Sequence, residues 1–368
     1  MKAVVATDSF KGSLTSLEAG NAVKRGILRC FPDAEVTVLP LADGGEGTID
    51  AIAPYIPGIS KSLTVTGPLG EPIVADYIFD DTCKTAYIEM AQAAGLTLIE
   101  KESRDPYKTT TAGVGELMKD AIYSGAEKLV ICIGGSATND GGAGMLQALG
   151  ARLTDENGNS IEHGAIGLKD LRKIGCTNLI GKDISIVVAS DVTNPLTGPN
   201  GASFVYGPQK GATQEACSKM DSWLLNFAKI SGFDPAEAGT GAAGGMSFAL
   251  KNFLGAEIRS GADIVMEITG LETEIKDADI VITGEGRMDS QTVNGKAPFK
   301  VMQLAKKYGK EVIGICGILG DGYEECLKAG FAKIAPLINP SMDTEEAIRS
   351  VEQTIVGVLN QTPDNFSI

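Results

Sequence analysis

MKAVVATDSFKGSLTSLEAGNAVKRGILRCFPDAEVTVLPLADGGEGT, residues 1–48, sets the grammar of the fold. Lys2 to Ala6 is a short, largely β-branched run that reads as a buried strand, and DSFKGS after it reads as a loop. Thr15 or Ser16 caps the next element, Glu18 supports its first turn, and Ala19, Val23, Ile27 and Leu28 recur at helical spacing. EVTVLPLA, residues 35–42, is a second strand, running into DGGEGT and another helix. Strand, helix, strand, helix, with acids and glycines after each strand, is the pattern of an α/β protein with a largely parallel sheet.

The same grammar returns late in the chain. DADIVITGEG predicts a strand at about Asp279 to Thr283, EVIGICG another at Glu311 to Gly317, and AKIAPLI a third near residues 332–338. PFKVMQLAKKYG is a helix opened by Pro298 and stopped at Gly309. Both chain ends, residues 1–62 and 266–368, therefore assemble into one doubly wound, flavodoxin- or Rossmann-like parallel-sheet domain. Residues 63–265 form a second, inserted α/β domain. Its start reads differently: TVTGPLGEPIVADYIFDD and KTAYIEMA are antiparallel strands with proline and glycine at the turns, followed by buried strands at KLVICIGG and ISIVVASDV. With 368 residues, two cores are expected, and a cleft between two domains is the default ligand site.

Composition removes several function classes. The formal charge of −15 and the lack of a basic stripe argue against nucleic acid. No apolar run is long enough for a bilayer, and the N-terminus lacks a secretory apolar core and cleavage site. Seven scattered cysteines without a CxxC pair read as reduced thiols, so a cytoplasmic protein is expected. The one histidine, His163, lies in the polar stretch DENGNSIEHG, which reads as a solvated loop. A histidine-based triad, zinc site or proton shuttle would have to pass through that position, so acid–base work falls to Asp, Glu, Lys or Tyr.

Six glycine-rich or acidic loops follow strands or precede helices. They are DSFKGS (8–13), DGGEGT (43–48), GGSATNDGGAG (134–144), SDVTNPLTGPNGA (190–202), GTGAAGG (239–245) and TGEGRMDSQTVNGK (283–296). Glycine lets backbone amides approach an anion, and a following helix adds its positive end. Familiar nucleotide motifs fail on inspection. Near Gly295-Lys296 a P-loop would need glycine where Ser290 stands and a hydroxyl where Ala297 stands. GTGAAG matches a dinucleotide string, yet SGFDPAEA before it is a helix end and loop rather than a strand. Phosphoryl transfer needs cations and amides for phosphates, carboxylates for magnesium and a base at the acceptor hydroxyl. The loops supply Asp191, Glu285 and Asp289 as carboxylates and Lys11, Lys210, Arg287 and Lys296 as cations.

DSFKGSL, LPLADGGEGT, GGSATNDGGAG, SDVTNPLTGPNGA with YGPQKGA, GAAGGM, and TGEGRMDSQT with NGK occur in that order from end to end. In these motifs the chain resembles the bacterial glycerate kinase family, which is built like neither P-loop nor protein kinases. The resemblance implies transfer of the ATP γ-phosphoryl group to D-glycerate with Mg2+, in many members at the 2-hydroxyl to give 2-phosphoglycerate rather than 3-phosphoglycerate. It also implies two α/β domains. Roles for individual residues are physical expectations. Asp191 is the base for the glycerate hydroxyl, with Asp289 as the competing candidate. Lys11 and Arg287 hold the substrate carboxylate or the transferring phosphate. Gly134, Gly135 and Ser136 cradle phosphates through amides, with Asn139 and Lys296 beside them. Asp43 and Glu46, on the loop with Gly44 and Gly45, position magnesium or substrate hydroxyls. Asp191 and Glu285 are the expected metal ligands, and Asp8 with Ser9 either touches substrate or shapes its loop. A kinase for a related hydroxy or sugar acid, and a non-catalytic binder of a carboxylate metabolite, are the competing readings.

Overall fold

A computed structural model of the chain describes residues 1–10, 12–341 and 343–361. Lys11, expected above to be a catalytic cation, lies outside the described residues. The chain divides into two compact units. One comprises residues 1–43, 50–55 and 262 onward; the other comprises residues 44–49 and 56–261.

The first unit opens with β1 (Lys2–Thr7) and β2 (Glu35–Pro40), joined by the helix Ser16–Cys30. Thr15 caps that helix, its side chain accepting from the Glu18 amide while Glu18 reaches back to the Thr15 amide. In the second unit, β3 (Ile59–Thr66), β4 (Pro72–Asp80) and β5 (Thr85–Glu89) form an antiparallel meander. They are followed by β6 (Lys128–Cys132), a short pair β7 (Arg152–Thr154) and β8 (Lys173–Gly175), then β9 (Ser185–Ala189) and β10 (Glu257–Arg259). The chain then adds β11 (Ile280–Met288), β12 (Glu311–Leu319) and β13 (Lys333–Pro336) to the first unit.

The first unit's sheet has the order β13-β12-β11-β1-β2, with every pairing parallel. Strand alternation sorts its side chains between two cores. Ala3 and Val5 pack with Val23 and Ile27 of the first helix and Val351 and Ile355 of Thr344–Asn360 on one face. Val4 and Ala6 pack with Ile275, Val301 and Met302 on the other. Helices on both faces of a parallel sheet are the doubly wound arrangement that the β-branched runs predicted.

The second unit's sheet has the order β10-β9-β6-β5-β4-β3, parallel from β10 to β5 and antiparallel over the last two pairings. Ile88, Leu129, Ile131, Ile186 and Val188 carry its largest core. The division between units falls earlier than residue 62, because β3 begins at Ile59 and residues 44–49 already belong to the second unit. Gly239 follows a loop after the helix Gln214–Ser231, with no strand before it, so a dinucleotide fingerprint lacks its context. No helix among the described residues is long and apolar enough to cross a membrane.

β11 is longer than the sequence predicted. It runs on through GEGRM because Gly284 lies flat against β12, where a side chain would strike the backbone carbonyl of Ile315. Gly284→Ala is expected to cost about 2 kcal/mol or more, read as a fall of several degrees in the thermal midpoint. Gly357→Ala, where an added Cβ meets nothing within 4 Å, should leave that midpoint unchanged or raised.

Candidate active site

In the second unit the loops gather at the C-terminal ends of β5, β6 and β9, where parallel sheets place their ligands. Glu89, the last residue of β5, is buried, and its carboxylate accepts from the amides of Gly47 (2.9 Å) and Ile49 (3.1 Å). The Gly134 amide donates to the Gly44 carbonyl at 3.1 Å. Glycine is required on both sides of this contact. A Cβ on Gly134 would overlap Gly45 Cα, and one on Gly44, at φ +85°, would stand 2.7 Å from the Ala189 carbonyl oxygen. The same docking sets Glu46 beside the β6 loop, where it accepts from Thr97 Oγ1 at 3.0 Å. A Cβ on Gly135 would lie 3.5 Å from Glu46 Oε2.

The β6 loop is divided in two by burial. Gly135, at φ +72°, is exposed, and Ser136 beside it is already buried at 7% exposure. Asn139 and Asp140 are fully buried. Asn139 Nδ2 donates to Ser203 Oγ at 2.9 Å, while its Oδ1 is buried with no hydrogen-bond partner among the described residues. Asp140 accepts from the Thr111 amide and hydroxyl and from the amides of Gly142 and Gly144, closing the turn into the helix Ala143–Ala148. Burial pushes the Asp140 carboxyl up, and those hydrogen bonds oppose the shift. Lys210 is also buried, and its Nζ donates to Ser136 Oγ (2.9 Å) and the Thr138 carbonyl (2.6 Å). Loss of solvent pushes it down to about 7, against the pull of Asp140. Asp191 stands exposed just beyond β9.

In the first unit the β11 extension decides the geometry. Glu285, Arg287 and Asp289 lie on the strand and its continuation, where Lys296 approaches both carboxylates. Glu285 is buried and accepts from Thr292 Oγ1 (2.7 Å) and Lys296 Nζ (3.2 Å). Asp289 accepts from Arg287 Nε (3.1 Å) and the Gln291 amide (2.9 Å), with Lys296 Nζ 3.7 Å away. Burial raises the Glu285 carboxyl, against the hydrogen bond from Thr292 and the charge of Lys296. Burial also pushes Asp289 up, but the Gln291 amide, Lys296 and Arg287 outweigh it and hold this carboxyl below its usual range. A carboxylate held down in this way is a weak base, and a Glu285 whose oxygens both receive protein donors is a poor fit for a metal ion. The pair instead fixes two cations, Arg287 and Lys296. Asp8, in this unit, accepts from the Ser9 amide at 2.7 Å, which commits that amide to shaping the loop. Asp43 is exposed.

The glycerate kinase family model matches residues 3–364. The chain belongs to the glycerate kinase family. It is 46% identical over 362 residues to the glycerate 2-kinase of Escherichia coli, covering 96% of this chain and 95% of that one. It is 44% identical to a glycerate kinase of Halalkalibacterium halodurans, over 99% and 97% of the two chains. The crystal structure of a protein described as glycerate kinase 2 from Salmonella typhimurium LT2 superposes with a TM-score of 0.86 at 44% identity, covering 100% of each chain. As a glycerate kinase family member the protein is a kinase. Its site motifs were visible in the sequence, but Glu89, Thr97 and Arg104, which shape the second unit's loops, lie outside all of them. The one available signal was a glutamate closing the apolar run AYIE.

Because Glu285 is raised above its unfolded value, the folded state holds the extra proton over that window. The wild-type stability from this group therefore falls as pH rises from about 4.3 through the folded pKa. Glu285→Gln keeps the acceptor for Thr292 without the buried charge. Its stability relative to wild type, read from the two thermal midpoints, should be higher at pH 7.5 than at pH 4.5, by about 1.4 kcal/mol for each pKa unit of the shift. A difference that does not change with pH would count against the assignment.

Proposed function

We propose that this enzyme transfers the γ-phosphoryl group of ATP to the 2-hydroxyl of D-glycerate, giving 2-phosphoglycerate and ADP. The observation that carries this reading is end-to-end similarity to proteins named glycerate kinase, the Escherichia coli relative being named glycerate 2-kinase. The residues supply matching chemistry in each unit.

Asp191 takes the proton from the 2-hydroxyl as its oxygen attacks the γ-phosphorus. The bond to the bridging oxygen then breaks, and ADP leaves with the electron pair. Asp191 is preferred to Asp289 as the base because Arg287 and Lys296 hold Asp289 ionised and weakly basic. Arg287 and Lys296, fixed by Asp289 and Glu285, are assigned to negative charge on phosphate or substrate carboxylate. The β6 loop from Gly134 to Ser136 is assigned to a second oxyanion.

When bound, magnesium neutralises charge on the ATP phosphates and orients them. Among the described residues no group of three or more His, Cys, Asp or Glu side chains stands close enough together to hold a metal. Such an arrangement suits an ion held largely by phosphates and water with one or two carboxylates. Glu285 is withdrawn from the metal set, and Asp191 is assigned as the base. The exposed Asp43 and Glu46 are the carboxylates proposed to position magnesium or substrate hydroxyls.

The reading is tested by incubating the protein with ATP, Mg2+ and D-glycerate and following phosphorus and carbon NMR of the product. 2-Phosphoglycerate is expected, and 3-phosphoglycerate would overturn the choice of hydroxyl. Asp191→Asn should lower kcat by about 10²–10⁴-fold. If Asp191→Asn kept the full rate while Asp289→Asn lost it, the base would have to be reassigned.

A further inference from the structure

Lys210 is 2% exposed, and among the described residues no carboxylate lies within 4 Å of its ammonium. A buried ammonium without an ion pair is costly, so its hydrogen bonds must serve something. Nζ donates to Ser136 Oγ and the Thr138 carbonyl. Ser136 Oγ, already accepting from Lys210, keeps its own O–H to donate. Gly135, at φ +72°, turns the chain there, and among the described residues the amides of Gly135 and Ser136 meet no acceptor.

A second cation borders the same loop. Arg104 reaches the Leu96 carbonyl through Nη2 (3.5 Å) and the Gln209 carbonyl through Nη1 (3.4 Å). The Leu96 amide in turn donates to the Gly135 carbonyl at 2.8 Å. Arg104 Nε is buried with no hydrogen-bond partner among the described residues. Two amides without acceptors and a hydroxyl held by a buried lysine occur on one short turn, and an orphaned guanidinium donor stands on the segment that borders it through Leu96, a donor set suited to an oxyanion.

We infer that Lys210 is the positioning residue of an oxyanion subsite at Gly135–Ser136, aiming the Ser136 hydroxyl at a substrate carboxylate or phosphate, with Arg104 supplying a second charge. The inference rests on the kinase reading only for which substrate the subsite takes. The subsite itself is testable without turnover.

The experiment compares wild type with Lys210→Met, Ser136→Ala and the double variant. Inorganic phosphate and D-glycerate are titrated separately against the thermal midpoint, and the KM for glycerate, the KM for ATP and kcat are measured in parallel. Wild type should be stabilised by at least one of the two anions. Each single variant should bind that anion roughly 10- to 100-fold more weakly, as expected for a hydrogen bond to a charged group. The double variant should be no weaker than Lys210→Met alone, because Lys210 acts through Ser136. A selective rise in the glycerate KM assigns the subsite to the carboxylate, and a selective rise in the ATP KM assigns it to phosphate. Anion binding in Ser136→Ala equal to wild type would overturn the proposal, because Lys210 is proposed to act through that hydroxyl. Strictly multiplicative losses in the double variant would also overturn it. Anion binding without glycerate turnover in wild type would sink the glycerate reading and leave the subsite standing.

Discussion

The second unit's site depends on one buried carboxylate. Glu89 ends β5 and takes the amides of Gly47 and Ile49, so residues 44–49 are held at the strand ends. Their backbone then lies against Gly134 closely enough that neither side has room for a Cβ. Glu46, Gly135 and the end of β9 come together through that docking. Hydrogen bonds from backbone amides to a buried carboxylate are directional and charge-assisted, so the loop is held in one position. Pre-positioning of this kind is what a phosphoryl-transfer site needs, because little of its catalysis is covalent.

Burial also bears on how so acidic a chain could offer the proposed sites for anions. The net charge of −15 would repel phosphate if the carboxylates faced the ligand together. Glu89, Asp140 and Glu285 are instead turned into the protein, where amides, hydroxyls or a lysine meet their oxygens. The cations left partly exposed are Arg287 and Lys296, whose positions Asp289 and Glu285 fix.

The sheets were legible because β-branched runs such as KAVVAT and SIVVA mark buried strands, and because the capping box Thr15–Glu18 announces its helix. What the sequence hid depends on pairing and burial. GEGRM looks like a loop, since glycine and charged residues disfavour strands, yet its register with β12 keeps Arg287 and Met288 paired to Ile318 and Leu319. Asn139 sits in a motif rich in donors and looks ligand-facing, but its contact with Ser203, sixty-four residues away, takes it inside. Glu89 and Arg104 belong to no glycine-rich string, and only the folded backbone brings them to the loops they organise.

Among the carboxylates that could serve as the base, environment separates one from another. A base must be ionised, reachable and not already satisfied by stronger donors. Glu89, Asp140 and Glu285 fail on reach, because each is buried beneath its own partners. Asp289 is ionised, but its guanidinium, ammonium and amide neighbours lower its affinity for a proton, the property a base needs. Asp191 differs in place: it follows the buried parallel strand β9 and is an exposed residue. The fold thus uses buried carboxylates as anchors for loops and cations, whereas the proposed base is an acid at the surface.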